Sequence, residues 1–137
     1  MIRNIVKDIN FLKVESKDIT NEDLFIASDL KDTLAFNRKV CVGMAANMIG
    51  YHKNMIIFIN EHEQMEIMIN PKIIKKDGEY ETKEGCLSLL GERSCIRYKK
   101  IKVSYLTLDF KERIKTYSGF IAEIIQHEID HLYGIII

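Results

Sequence analysis

Near its C-terminus the chain reads Gln126-His127-Glu128-Ile129-Asp130-His131-Leu132. His127 and His131 are four residues apart, a spacing that on a helix stacks both imidazoles on one face as two ligands for one metal ion. Glu128 stands between them, and in a His-Glu-x-x-His arrangement this carboxylate takes a proton from a water held at the metal. That is the equipment of a hydrolase, although a charged helix face carrying two histidines reads the same over five residues. Two imidazoles leave a tetrahedral ion short of ligands, since catalytic sites use three protein ligands and keep a position open for water. The third donor comes from Cys86, Cys41, Cys95, His52, His62 or a carboxylate. Cys86 stands out because Glu84-Gly85-Cys86-Leu87-Ser88 reads as a strand end interrupted by glycine, where a thiolate could project from tight backbone; a buried structural cysteine is the competing reading.

The elements that must position these groups follow from periodicity. Phe120 to Tyr133 reads as a helix stopped by Gly134, with Phe120, Ile124, His127 and His131 along one strip and Ile121, Ile125 and Leu132 on the adjoining stripe beneath a sheet. Upstream, Thr20 and Asp23 form a capping box, and Leu24, Ala27, Leu30 and Leu34 give a core stripe as far as Asn37. Residues 1 to 19 suggest an irregular arm with a short turn at Lys7 to Asn10. Strand-like runs occupy 55–60 and 65–70, joined as a hairpin, with Pro71 ending the second. Further strands are expected at 72–76, at 79–83 after an Asp77-Gly78 turn, and at 95–98, 101–108 and 113–117. Ile135 to Ile137 should add a short strand or pack on the core. The expected class is α+β: antiparallel strands around a C-terminal helix carrying the histidines, plus an N-terminal helix.

A length of 137 residues is expected to form one domain, 1–137. Twenty basic and twenty acidic side chains cancel, so no global field favours nucleic acid or an anionic membrane, and Lys99, Lys100 and Lys102 read as a solvated face. Charges spread through the first ten residues argue against a signal peptide or a membrane span. Three cysteines without a secreted-scaffold spacing argue for reduced thiols, and the expected compartment is the cytoplasm.

Three motifs in order carry a family resemblance: Gly43-Met44-Ala45-Ala46 with Ile49-Gly50, then Glu84-Gly85-Cys86-Leu87-Ser88, then Gln126-His127-Glu128-Ile129-Asp130-His131. In order and separation the chain resembles the peptide deformylases across essentially its whole length. The resemblance implies Cys86, His127 and His131 as ligands of one divalent metal, ferrous iron in the cell, with zinc, nickel or cobalt also suited to the donor set. It implies Glu128 as general base, the backbone N–H of Leu87 as an oxyanion donor, and N-formylmethionyl peptides or nascent chains as substrates that release formate. Val42, Gly43, Phe120 and Ile124 would lie on the substrate side, Gly43 through its backbone and the others as a pocket for the methionine side chain, with core packing as the alternative. Glu84 and Asp130 are expected to support the ligands, or else to serve surface or capping roles.

The first motif departs from the family pattern Ala-Ala-Pro-Gln-Ile-Gly: here it reads Ala45-Ala46-Asn47-Met48-Ile49-Gly50. Met48 takes the place of a glutamine whose amide donates to the oxyanion, and a thioether cannot donate. Asn47 has an amide, but neighbouring residues on an extended segment point to opposite sides. The alternative function is therefore a catalytically impaired paralogue that binds N-terminal peptides.

Overall fold

A computed structural model describes residues 1–137. Five antiparallel strands form one sheet in the order β1-β2-β3-β4-β5: β1 (Gly43–Ala45), β2 (Met55–Ile59), β3 (Met65–Cys86), β4 (Leu89–Leu106) and β5 (Glu112–Ser118). Each strand pairs with its neighbour in sequence, so the sheet is a meander that needs no crossover. Three helices accompany it: α1 (Ile9–Leu12), α2 (Phe25–Phe36) and α3 (Gly119–Leu132). The expected class is observed, with α3 carrying both histidines into the core.

The structure corrects the expected strand count, because 65–86 and 89–106 are two long strands instead of five short ones. Pro71 does not end a strand. It falls where the β3–β4 register shifts between Ile69 and Lys72, a bulge at which a missing ladder N–H costs little. Asp77-Gly78 is likewise no turn: Asp77 pairs with Lys100 and Glu79 with Tyr98, and Gly78 absorbs a φ of +79° inside the strand. The actual turn is Leu87-Ser88, between Cys86 and its register partner Leu89. The second motif is thus the tip of a hairpin.

Asp23 accepts the Thr20 N–H at 2.9 Å, as the capping box requires, but the turn it starts is the 3₁₀ turn Asn21–Asp23, and α2 begins only at Phe25. Ala27, Leu30 and Leu34 are buried as expected. The irregular arm contains a single helical turn, α1, capped by Asp8, which buries Leu12. On α3, Ile125 and Leu132 are buried, whereas Ile121 is only half-buried and Phe120 lies exposed. At the C-terminus Ile137 packs inward without forming a strand, and Ile135 is exposed. Lys99, Lys100 and Lys102 are exposed. No helix is long and apolar enough to cross a membrane.

Gly134 ends α3 with φ +76°, and a Cβ there would lie 2.3 Å from the Lys13 carbonyl oxygen. The neighbouring Leu132 carbonyl accepts the Ser16 N–H at 2.8 Å, so the arm is laced to the end of the histidine helix. Gly134→Ala combines a left-handed backbone with a backbone clash and is expected to lower stability by about 2 to 4 kcal/mol. A lower urea midpoint at unchanged m would show it.

Candidate metal centre and cleft

Cys86 reaches the site because the last register shift of β3, between Glu84 and Cys86, turns the strand just before the hairpin tip. Gly85 sits in that shift, where an added Cβ would lie 3.1 Å from the Gly91 carbonyl oxygen. His127 and His131 come from successive turns of α3, which lies against β1, β2, β4 and β5. The sulfur of Cys86 and one ring nitrogen of each histidine lie within 4.8 Å of one another. The two imidazole Nε2 atoms are 3.0 Å apart. His52 and His62 are excluded from this group: His52 stacks on Phe11 and bonds its carbonyl, and His62 is exposed beside Glu61.

Glu84 fixes how His127 faces the centre. Its carboxylate lies 2.8 Å from Nδ1, so Nδ1 donates to it and Nε2 is the ring nitrogen that faces the other donors. Arg97 holds Glu84 through bonds of 2.7 to 3.1 Å and reaches Asp130 at 2.7 Å. Burial alone would raise the Glu84 carboxyl, but hydrogen bonds from His127 and Arg97 outweigh it and keep it well below the usual carboxylate range. Arg97 is the residue that sequence reasoning missed. One more charge in a charged strand gave no signal until β4 aligned it with Glu84, thirteen positions upstream.

The electrostatics of the three donors favour a positive charge between them. Burial opposes a proton on His127, yet its bonds to Cys86 and Glu84 prevail and raise it to about 10. Burial and the neighbouring His127 charge lower His131 to about 3, leaving that ring neutral and able to donate a lone pair. A cysteine sulfur and two imidazoles converging this closely, one oriented by a carboxylate behind it, fit a divalent metal.

Glu128 is buried one residue beyond His127. Burial, partly offset by the His127 charge, raises its carboxyl to about 7. Its Oε1 has no hydrogen-bond partner. Its Oε2 lies where β1 comes closest: a Cβ on Gly43 would stand 3.0 Å from Oε2 and 2.7 Å from Ile124 Cγ2. The glycine of the first motif therefore makes room for the glutamate of the third.

Cys86, His127, Glu84 and Glu128 line one cleft of about 610 Å³, whereas His131, Arg97 and Asp130 lie outside its lining. Val42, Gly43, Met48, Leu87, Phe120 and Ile124 line it too, so the structure brings every sequence-selected substrate-side residue to the same place. Val42 is half-buried, with its carbonyl spent on the Ile59 N–H, and Phe120 sits 64% exposed at the rim. Gly43 lies on the edge strand of the sheet, and its carbonyl accepts the Cys41 thiol. Cys41, one of the candidate third donors, also lines the cleft but is not among the converging ligands, and burial and then Glu128 push its thiol up to about 11. Cys41, Cys86 and Cys95 are free thiols. Asn47 points elsewhere, donating to the His131 carbonyl at 2.8 Å.

The profile of the family described as polypeptide deformylase matches residues 2–137. The chain is 49% identical over 137 residues to a peptide deformylase of Clostridium beijerinckii, covering all of both chains. Among solved structures, a Met-Ala-Ser-bound class I type b peptide deformylase from Acinetobacter baumannii superposes with a TM-score of 0.87 at 27% identity, over 99% of this chain and 96% of that one. A peptide deformylase from Legionella pneumophila gives a TM-score of 0.89 at 32% identity, over 99% and 83%.

Proposed function

The chain belongs to the polypeptide deformylase family, and from that premise we propose that it hydrolyses the N-formyl group of N-formylmethionyl peptides, using a divalent metal held by Cys86, His127 and His131. One observation carries the reading: the ligating atoms of Cys86, His127 and His131 converge, and Cys86 and His127 share a cleft beside a free sheet edge with Glu128, whose Oε1 is buried without a partner. That combination also favours catalysis over the binding-only alternative. The metal supplies Lewis acidity, bringing the pKa of a water toward about 7. Ferrous iron is the ion the resemblance implies, and zinc, nickel or cobalt suits the same donors.

This chain's residues do the rest. Glu128 accepts the proton of the attacking water, with Oε1 free to receive it. The Leu87 N–H, at the hairpin tip next to Cys86, donates to the formyl oxygen as negative charge develops there. Glu128 then passes its proton to the amine nitrogen as the carbon–nitrogen bond breaks, and formate and a free N-terminus leave. Gly43 presents backbone groups from β1 to the extended peptide, while Val42, Ile124 and Phe120 line the wall for the methionine side chain. Glu84, Arg97 and Asp130 keep the ligands oriented. Nascent chains as substrates and reduced thiols both suit the cytoplasm.

Formate release from N-formyl-Met-Ala-Ser by anaerobically iron-loaded protein tests the reading. Turnover that disappears on chelation and returns with added iron is expected. A folded protein with one metal bound and no formate release would overturn it.

A further inference from the structure

The two histidines are supported unequally. His127 gives its Nδ1 proton to Glu84, but His131, 1% exposed, has an Nδ1 with no partner. Asn47 reaches His131 from outside its own helix: this residue, fully buried in the 3₁₀ turn Ala46–Ile49, lies 2.8 Å by its Nδ2 from the His131 carbonyl. That carbonyl belongs to the last turn of α3, where it also accepts the Gly134 N–H at 3.0 Å, so the amide adds a second donor to the helix end. Because the acceptor is a carbonyl oxygen, the amide must present its nitrogen there, and Oδ1 is left at the other end of the group. Oδ1 too is buried without a partner. Two adjoining residues thus each leave one buried polar atom unpaired. The atoms are complementary, since a His131 ring that coordinates through Nε2 carries its proton on Nδ1 while Oδ1 can only accept. Buried groups of this kind are paired in nearly all proteins, often through an internal water.

We propose that Asn47 is a positioning residue for His131: Nδ2 ties the end of α3 to the first motif, and Oδ1 accepts the His131 Nδ1–H through one buried water, holding the ring in the tautomer that offers Nε2 to the metal. The proposal rests on the metal-centre reading above. It assigns to the asparagine of this chain's altered first motif the role that Glu84 plays for His127.

Zn²⁺ affinity, measured by competition with a chromophoric chelator, tests this on the full chain. Asn47→Leu removes both bonds at similar volume and should weaken Zn²⁺ binding by about 10- to 100-fold, as loss of a ligand's supporting partner does. Asn47→Asp keeps the acceptor and loses the donor, and should retain most of the affinity. In the parent loaded with Zn²⁺, ¹⁵N-edited NMR should find the His131 Nδ1 proton slow to exchange and with a cross-peak to a bound water, a signature that a merely structural cap would not produce. This spectrum decides the matter if the leucine variant does not fold. A folded leucine variant within about threefold of the parent, or a rapidly exchanging Nδ1 proton, overturns the role of Asn47 alone. A parent that binds no Zn²⁺ overturns the metal centre and this proposal with it.

Discussion

Glu128→Gln retains the metal and lowers kcat for formate release by about 10² to 10⁴, the range that removal of a general base produces. Three features set this expectation. Glu128 is not among the three converging ligands, so metal content stays at the parent level. Glutamine has the same shape, so the close approach of Gly43 is preserved and the fold tolerates the change. What disappears is a buried oxygen with no competing partner, the group available to receive the water's proton. Because the amide still fills the same space at the cleft wall, KM should change far less than kcat. Steady-state kinetics with metal analysis on the same sample checks it. Unchanged turnover would remove Glu128 from the mechanism, and loss of metal would make it a ligand.

Met48→Gln should raise kcat, by at most about 10³, equivalent to roughly 4 kcal/mol of transition-state stabilisation. Met48 is 1% exposed, and its sulfur accepts the Ala45 N–H at 3.5 Å, a weak bond to a poor acceptor. A glutamine is of similar length, and its Oε1 can take over that N–H. Its Nε2 is then left to point into the cleft that Met48 already lines. The structure rules out Asn47 as the substitute donor, because its amide nitrogen is committed to His131 on the far side of the turn. The effect belongs on kcat more than KM, since the oxyanion exists only after attack. No gain from a measurably active parent would mean that the Leu87 N–H and the metal suffice. No activity in either protein, with metal bound, would leave the peptide-binding paralogue as the better description.

The pairing of the two histidines was readable in the sequence because it rests on local periodicity, whereas Cys86 was assigned as their partner only by the motif resemblance. Four-residue spacing on a helix puts His127 and His131 together whatever surrounds them, and the observed α3 agrees with its expected span to one residue at each end. The hairpin of β2 and β3 was readable for the same reason, from two apolar runs flanking a polar turn. Propensity failed where pairing partners decide. Pro71 and Asp77-Gly78 look like strand breakers, yet β4 runs alongside both, and ladder bonds on either side carry the strand through a bulge and a positive φ. The tertiary fold alone could bring Arg97 under Glu84, Gly43 within reach of Glu128, and Asn47 against the end of α3. Those contacts join residues 13, 85 and 84 positions apart, and sequence spacing holds no information about them: the long β3–β4 hairpin and the packing of α3 on β1 create them. Residue type and spacing therefore marked the groups that could do chemistry, while the orientation of the His127 ring and of the Asn47 amide came from partners that only folding supplies.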